Sequence, residues 1–177
     1  MSQAIALNLP LDPKALKSLK AGDYCTLTGE MFMLRDAGHM RLMEELAQDG
    51  TLPYGLEGAT IFYAGPSPAS AGRPFGAVGP TTASRMDFAA PVLHHAGVVA
   101  TVGKGVRSDE VIQACVDCGA VYFVATGGVA ALLAQRVERG EVVAYEDLGP
   151  EALRRITVRD FPVFVGVDTK GACIYDL

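Results

Sequence analysis

Apolar residues in this chain recur first at alternate positions, then at helical spacing, and later in short unbroken runs between glycine-bearing loops. Residues 1–10 read as an extended arm, and Asp12–Leu19 as a short helix with Pro13 in its first position. Tyr24–Thr28 alternates polar and apolar residues, which predicts a strand. After Gly29, the stretch MFMLRDAGHMRLMEELAQDG spaces Ala37, Met40, Met43, Leu46 and Ala47 as one helical face, with Gly50 as its stop. Ala59–Tyr63 predicts a second strand. The segment Gly65–Pro80, rich in Gly, Pro, Ser and Ala, predicts a long surface loop, a feature often tied to function.

From Gly79 the pattern becomes regular. GPTTASR leads into a helix from near Asp87 to Gly97, and VVATV at 98–102 reads as a buried strand. GKGVRS leads into a helix with Ser108 as N-cap, Asp109 and Glu110 in the first turn and Gly119 as stop. AVYFVAT at 120–126 predicts a strand, and TGG leads into a helix through Val129–Glu138 that stops at Gly140. VVAY, a short helix opening at Pro150 and two strands either side of the DTKG turn at 168–171 complete the chain. Strand, glycine loop and helix in repetition predict an α/β fold with parallel pairing in the middle and antiparallel sheet at the ends.

The 177 residues, half of them hydrophobic and a fifth charged, suffice for one domain with a sizeable core. A net charge of −5 argues against a nucleic-acid binder, which needs a basic face. With no basic, apolar leader in MSQAIALNLPLD and no apolar run of membrane-spanning length, no membrane is expected, and the cytoplasm is the expected location. Of the four cysteines, Cys115 and Cys118 form a C-x-x-C pair, open to a metal or redox reading. The pair has no second C-x-x-C and no nearby histidine, and it sits on one helical face, so buried packing is the competing reading.

Three glycine loops precede helices: GPTT at 79–82, GKG at 103–105 and TGG at 126–128. Such junctions favour anions, and Arg85, Lys104 and Arg107 add cations to them. Neither the dinucleotide fingerprint nor a phosphate loop is complete, so a small anion held by side chains fits better than a nucleotide. In RDAGH, Arg35 suits a carboxylate, Asp36 can orient a base, and His39 can shuttle protons near neutral pH. The competing reading makes Asp36 a helix cap and pairs Arg35 with a surface acid. For His94 and His95, contact with a helix end suffices. Arg136, Arg139, Arg154, Arg155 and Arg159 read as solvated faces, and Thr126 as loop chemistry.

In their order and spacing, RDAGH, GPTTASRMD, GKGVRSDEV, GAVYFVATGGVAALLAQ and VVAYEDLGPEALRRITVRDFPVFVGVDTKG resemble the β-region of class I fumarases and tartrate dehydratases. The resemblance runs from about residue 10 to the C-terminus. It implies a swivelling three-layer β/β/α domain over residues 11–177, with a central, partly parallel sheet, after the arm at 1–10. It also implies a partner α subunit whose three cysteines bind a 4Fe-4S cluster, so a hetero-oligomer is expected, with no metal held by this chain. Carried over by motif, Arg35 is a substrate-carboxylate ligand, Thr81 lies at the reacting carbon, and Arg85 grips a carboxylate or lowers the threonine pKa. Lys104 is a further substrate contact. Thr82, Asp36 and His39 match the pattern, and Arg107 is possible support; Met40 departs from the basic residue expected after the histidine. The implied activity is a hydro-lyase, first fumarate hydratase of the tricarboxylic acid cycle, then tartrate dehydratase or a mesaconate-type enzyme. A rival from another class is a non-catalytic anion-binding assembly module, which would not need Arg35, Thr81, Arg85 and Lys104 together.

Overall fold

The computed structural model describes residues 3–126 and 128–177. Its longest ladder joins β2 (Tyr24–Met33) antiparallel to β7 (Leu153–Val167), from Tyr24↔Phe164 to Met33↔Arg154. Each of these two strands shares its other edge between two neighbours in succession. Along β2 these are β1 (Ile5–Asn8) and then β3 (Thr60–Phe62), both parallel to it. Along β7 they are β6 (Val137–Ala144) and β5 (Val121–Val124), both antiparallel. β4 (Ala100–Gly103) joins β3 to β5 in parallel. The pairings β2–β3–β4–β5–β7–β2 therefore close a ring, with β1 and β6 as appended strands. The class is mixed α/β, with a central sheet that is part parallel and part antiparallel.

Strand alternation sorts two cores to the two faces of this sheet. On one face lie Cys25, Leu27, Met31 and Met33 of β2, Phe62, Val102, Phe123, and Phe161, Val163 and Val165 of β7. The Phe62 and Phe161 rings meet edge to face, 5.2 Å apart. Leu16 of α1 (Pro13–Ser18) and Leu133 of α5 (Ala130–Ala134) close this core. On the other face, Ile61, Tyr63 and Tyr122 pack under α2 (Asp36–Asp49), α3 (Ala90–Ala96) and α4 (Asp109–Cys118).

Local signals end several elements where their chemistry requires. The Asp12 carboxylate caps α1, the Ser108 hydroxyl caps α4, and left-handed Gly50 and Gly119 terminate α2 and α4. β2 runs past the expected Thr28 by way of a register shift at Leu27/Gly29. Gly29, at φ 131°, allows this, because a Cβ there would lie 2.6 Å from the Leu9 carbonyl oxygen.

Other boundaries differ from expectation. The helix expected over 129–138 is only the five residues of α5, and Val137–Ala144 is instead a strand. Pairing with β7, from Val137↔Val158 to Ala144↔Leu153, outweighs the helical pattern there. The helix expected from near Asp87 begins only at Ala90, after a 3₁₀ turn at Ala83–Met86. Pro150 opens no helix; it lies inside 3₁₀ turns at Glu146–Glu151, interrupted by Gly149 at φ 57°. After the DTKG turn the second strand is reduced to one bridge, Val167↔Cys173. There the Asp168 carboxylate accepts the Lys170 and Ala172 N–H groups and closes the turn. In the TGG loop Gly127 lies outside the described residues, as do Met1 and Ser2 of the arm. Among the described residues no helix is long and apolar enough to cross a membrane.

Leu27 sits where three strands meet, opposite Leu7 of β1 and Phe161 of β7, and is fully buried. Leu27→Ala is expected to lower unfolding free energy by about 2–5 kcal/mol, read as a lower urea midpoint with an unchanged slope.

Candidate active site

Because β2, β3, β4 and β5 are parallel, their C-terminal ends and the loops that follow share one edge of the sheet. Arg35 stands two residues past β2, at the N-cap of α2. Its stem passes close to the loop after β3: a Cβ on Gly65 would fall 2.8 Å from Arg35 Cδ, so a larger residue there would displace the arginine.

The segment 81–83 lies between the ends of β3 and β4. Thr81 N–H donates to the Tyr63 carbonyl at 2.6 Å, Lys104 N–H to the Thr81 carbonyl at 3.2 Å, and Ala83 N–H to the Lys104 carbonyl at 2.8 Å. Thr82 and Lys104 thus form a parallel bridge. Gly103 is needed for this approach, since a Cβ there would meet the Ala83 Cβ at 2.9 Å. Thr81 is buried, whereas Thr82 and the Lys104 side chain are exposed. Among the described residues Lys104 makes no ion pair.

Asp36 ties the RDAGH loop to the GPTT turn. Arg85 Nη2 donates to Asp36 Oδ2 at 2.8 Å, and Arg35 Nη2 lies 3.7 Å from the same oxygen. Arg35 Nε lies 3.7 Å from Glu151 Oε1, and it is buried without a hydrogen-bond partner. Asp36 makes no capping bond; it occupies the first turn of α2 and spends its carboxylate on the arginines. Two guanidinium groups are therefore held together by one carboxylate, with donors left over for an incoming anion.

His39 takes a different place from a neutral-pH proton shuttle. It is wholly buried, and desolvation pushes its pKa down to about 4, so it is neutral throughout the range in which a shuttle would operate. Its Nδ1 donates to the Arg35 carbonyl at 2.8 Å, and its ring stands edge-on to Tyr63, 5.2 Å away. It fixes the backbone of Arg35. Arg107 also points inward: its side chain is 0% exposed and its Nε donates to Asp87 at 2.7 Å, so it supports the loops and does not face an anion.

Other candidates stay apart. Exposed Thr126 adjoins the undescribed Gly127. His94 is buried, with Nδ1 donating to the Val98 carbonyl at 2.7 Å. Arg154 is more than a solvated face, since it donates to the Gly149, Pro150 and Ala152 carbonyls and holds the turn that carries Glu151. Neither Gly65 nor Glu151 was singled out by sequence; a glycine just past a strand was the one available signal.

The cysteines do not suit an iron–sulfur cluster. Cys25 lies in the core within the sheet and Cys115 on the buried face of α4, and burial pushes both pKa values up to about 12. Cys118 is exposed, 3.3 Å from His95 Nδ1. Among the described residues no three His, Cys, Asp or Glu side chains gather to hold a metal. A cleft of about 540 Å³ lies elsewhere, lined by residues that include Glu30, Glu141 and Arg155, and Thr81, Arg85 and Lys104 take no part in it. The cationic edge is open.

Comparison with known proteins places the chain in a family. A family profile described as Fumarase C-terminus matches residues 1–177. The anaerobic class I fumarate hydratase of Escherichia coli (strain K12) is 43% identical over 148 residues, which are 82% of this chain and 27% of that protein. Fumarate hydratase 1, mitochondrial, of Leishmania major is 40% identical over 172 residues, 94% of this chain and 31% of that protein. The L(+)-tartrate dehydratase subunit beta of E. coli (strain K12) is 35% identical over 170 residues, 93% of this chain and 83% of that subunit. The chain thus spans less than a third of these fumarate hydratases and most of the subunit.

The two buried histidines give stability a pH dependence. In each, the folded pKa of about 4 lies below the ordinary 6.5, because burial disfavours the charged ring. Their contribution is complete above pH 6.5 and is lost as pH falls toward 4, at up to about 1.4 kcal/mol per pH unit for each. The urea midpoint should fall across that window. His39→Gln, which keeps a donor for the Arg35 carbonyl, should remove about half of the fall; an unaltered profile would contradict the assignment.

Proposed function

This chain belongs to the Fumarase C-terminus family, and we propose that it is the β subunit of an iron–sulfur hydro-lyase, foremost a fumarate hydratase interconverting (S)-malate and fumarate. In this reading residues 11–177 form the swivelling three-layer β/β/α domain, and residues 1–10 its arm. The single observation that carries the reading is the gathering of Arg35, Thr81, Arg85 and Lys104 at the C-terminal edge of the parallel strands. A non-catalytic anion-binding module gives no reason for a buried threonine beside three cations.

The chemistry asked of this edge is local. Dehydration removes a proton from the carbon next to a carboxylate, and negative charge grows on that carboxylate as it leaves. Arg35, Arg85 and Lys104 stabilise the charge from fixed positions. Asp36 and Glu151 offset the repulsion between the two arginines. Thr81 is the candidate base. An unassisted hydroxyl is too weak, so its activation falls to Arg85 or to a group from the partner. Thr82, exposed beside it, offers a further hydroxyl to the substrate.

The open edge and the dispersed cysteines support placing the 4Fe-4S cluster on a fumarase-type α subunit that covers this face in a hetero-oligomer. A second reading, L(+)-tartrate dehydratase, draws support from chain architecture. The tartrate β subunit is matched over 83% of its length, whereas the anaerobic fumarate hydratase is matched over 27%. A mesaconate-type dicarboxylate would use the same cations.

Anaerobic co-purification with the candidate α chain, followed by malate and tartrate dehydration assays, tests the reading. Malate turnover that needs both chains is expected. Turnover of tartrate alone would select the second reading, and neither complex nor activity would favour the binding module. In the active complex, Arg35→Ala and Lys104→Ala should each lower kcat/KM by roughly 100-fold or more; near-normal turnover in either removes that residue from the site. Purified alone, the chain should be colourless and free of iron and sulfide, and stoichiometric iron on it would overturn the placement of the cluster.

A further inference from the structure

Beneath the candidate site lies a buried cation that no part of the proposed chemistry uses. All three sides of the Arg107 guanidinium are engaged: Nε donates to Asp87 Oδ1 at 2.7 Å, Nη1 to Thr101 Oγ1 at 3.1 Å, and Nη2 to the Tyr63 hydroxyl at 3.3 Å. Its carbon lies 5.2 Å from the Tyr63 ring centroid and 4.8 Å from that of Tyr122. The second Asp87 oxygen accepts the Ser108 N–H at 2.7 Å, at the start of α4.

Several of these groups lie close to residues of the site. Asp87 follows Arg85 by two positions, and Arg107 follows Lys104 by three. Tyr63 receives the Thr81 N–H on its carbonyl, and its ring packs against His39, which anchors Arg35. The Tyr122 hydroxyl donates to the Gly105 carbonyl at 2.9 Å, next to Lys104. The Arg107–Asp87 pair thus bolts the GKG loop to the GPTT turn.

Stability alone does not account for such a pair, because a buried ion pair replaced by apolar groups of similar volume often leaves a protein as stable as before. What an apolar pair cannot supply is direction: a planar fork with fixed donors sets one geometry among its partners. We propose that Arg107 and Asp87 are a positioning pair, which holds Thr81, Arg85 and Lys104 at one spacing and governs turnover without touching substrate. The proposal rests on the hydro-lyase reading of the site.

The test uses the assembled α–β complex and its best dicarboxylate substrate. The double variant Arg107→Met/Asp87→Leu should keep a Tm within a few degrees of the unaltered protein. Its kcat should fall roughly 100-fold, with KM changed by less than about threefold. A folded double variant with unaltered kcat overturns the proposal. If the double variant does not fold, Arg107→Lys decides, since it keeps the charge and loses the fork. A folded Arg107→Lys complex should lose at least about tenfold in kcat, and full turnover overturns the proposal. Lys104→Ala, measured alongside, separates the two ideas. Loss at Lys104 with full activity at the pair defeats the positioning role alone, whereas full activity in Lys104→Ala defeats the site and the positioning role with it.

Discussion

The antiparallel ladder between β2 and β7 is the interaction from which the rest of this architecture follows. It is longer than any other pairing in the sheet, and both strands have spare length on their outer edges. β3 and β5 use part of that length, and β4 closes the ring between them. Closure leaves the parallel strands little freedom in where they end. Arg35, the Thr81–Arg85 turn and Lys104 leave the sheet at the same edge because the ladder holds β2, and through it β3 and β4, in register.

Positive charge gathered at one edge has to be made tolerable within the folded chain. Two means are visible, and they differ in depth. At the rim, Asp36 sits between two partly exposed arginines, where solvent screens the interaction and an incoming carboxylate can compete with it. Below the rim, Arg107 is dry and fully committed to Asp87, Thr101 and Tyr63. The rim charges are exchangeable, and the buried one is not. That division suits the proposed role of the edge, in which a small anion binds and leaves while the loops keep their shape. His39 and His94 fit the same scheme: kept neutral by burial, they add no positive charge to a region already rich in it.

The open face is where the proposed partner chain would matter. Cations exposed to water stabilise a developing negative charge weakly, and they become effective when water is excluded. Among the described residues Arg85 and Lys104 are exposed, and so are the apolar Phe88 and Val106, close to them in sequence. A covering partner would supply the low-dielectric surroundings that the proposed reaction requires.

By itself the sequence determined the local grammar: the capped helices at Asp12 and Ser108, the stops at Gly50 and Gly119, the short buried strands, and the motifs holding Arg35, Thr81, Arg85 and Lys104. These were legible because each depends on neighbours a few positions away. Tertiary structure decided what depends on distant partners. Val137–Ala144 became a strand because β7 offered it an edge, and Asp36 served Arg85, 49 positions away, in place of the helix end. His39 lost its proton to burial that no residue spacing records, and Arg107, read as a loop cation that could aid an anion site, became a buried fork because Asp87, Tyr63 and Tyr122 converge on it. Periodicity reports which face a side chain takes, while its charge state and its partner are set by whatever the closed sheet brings against that face.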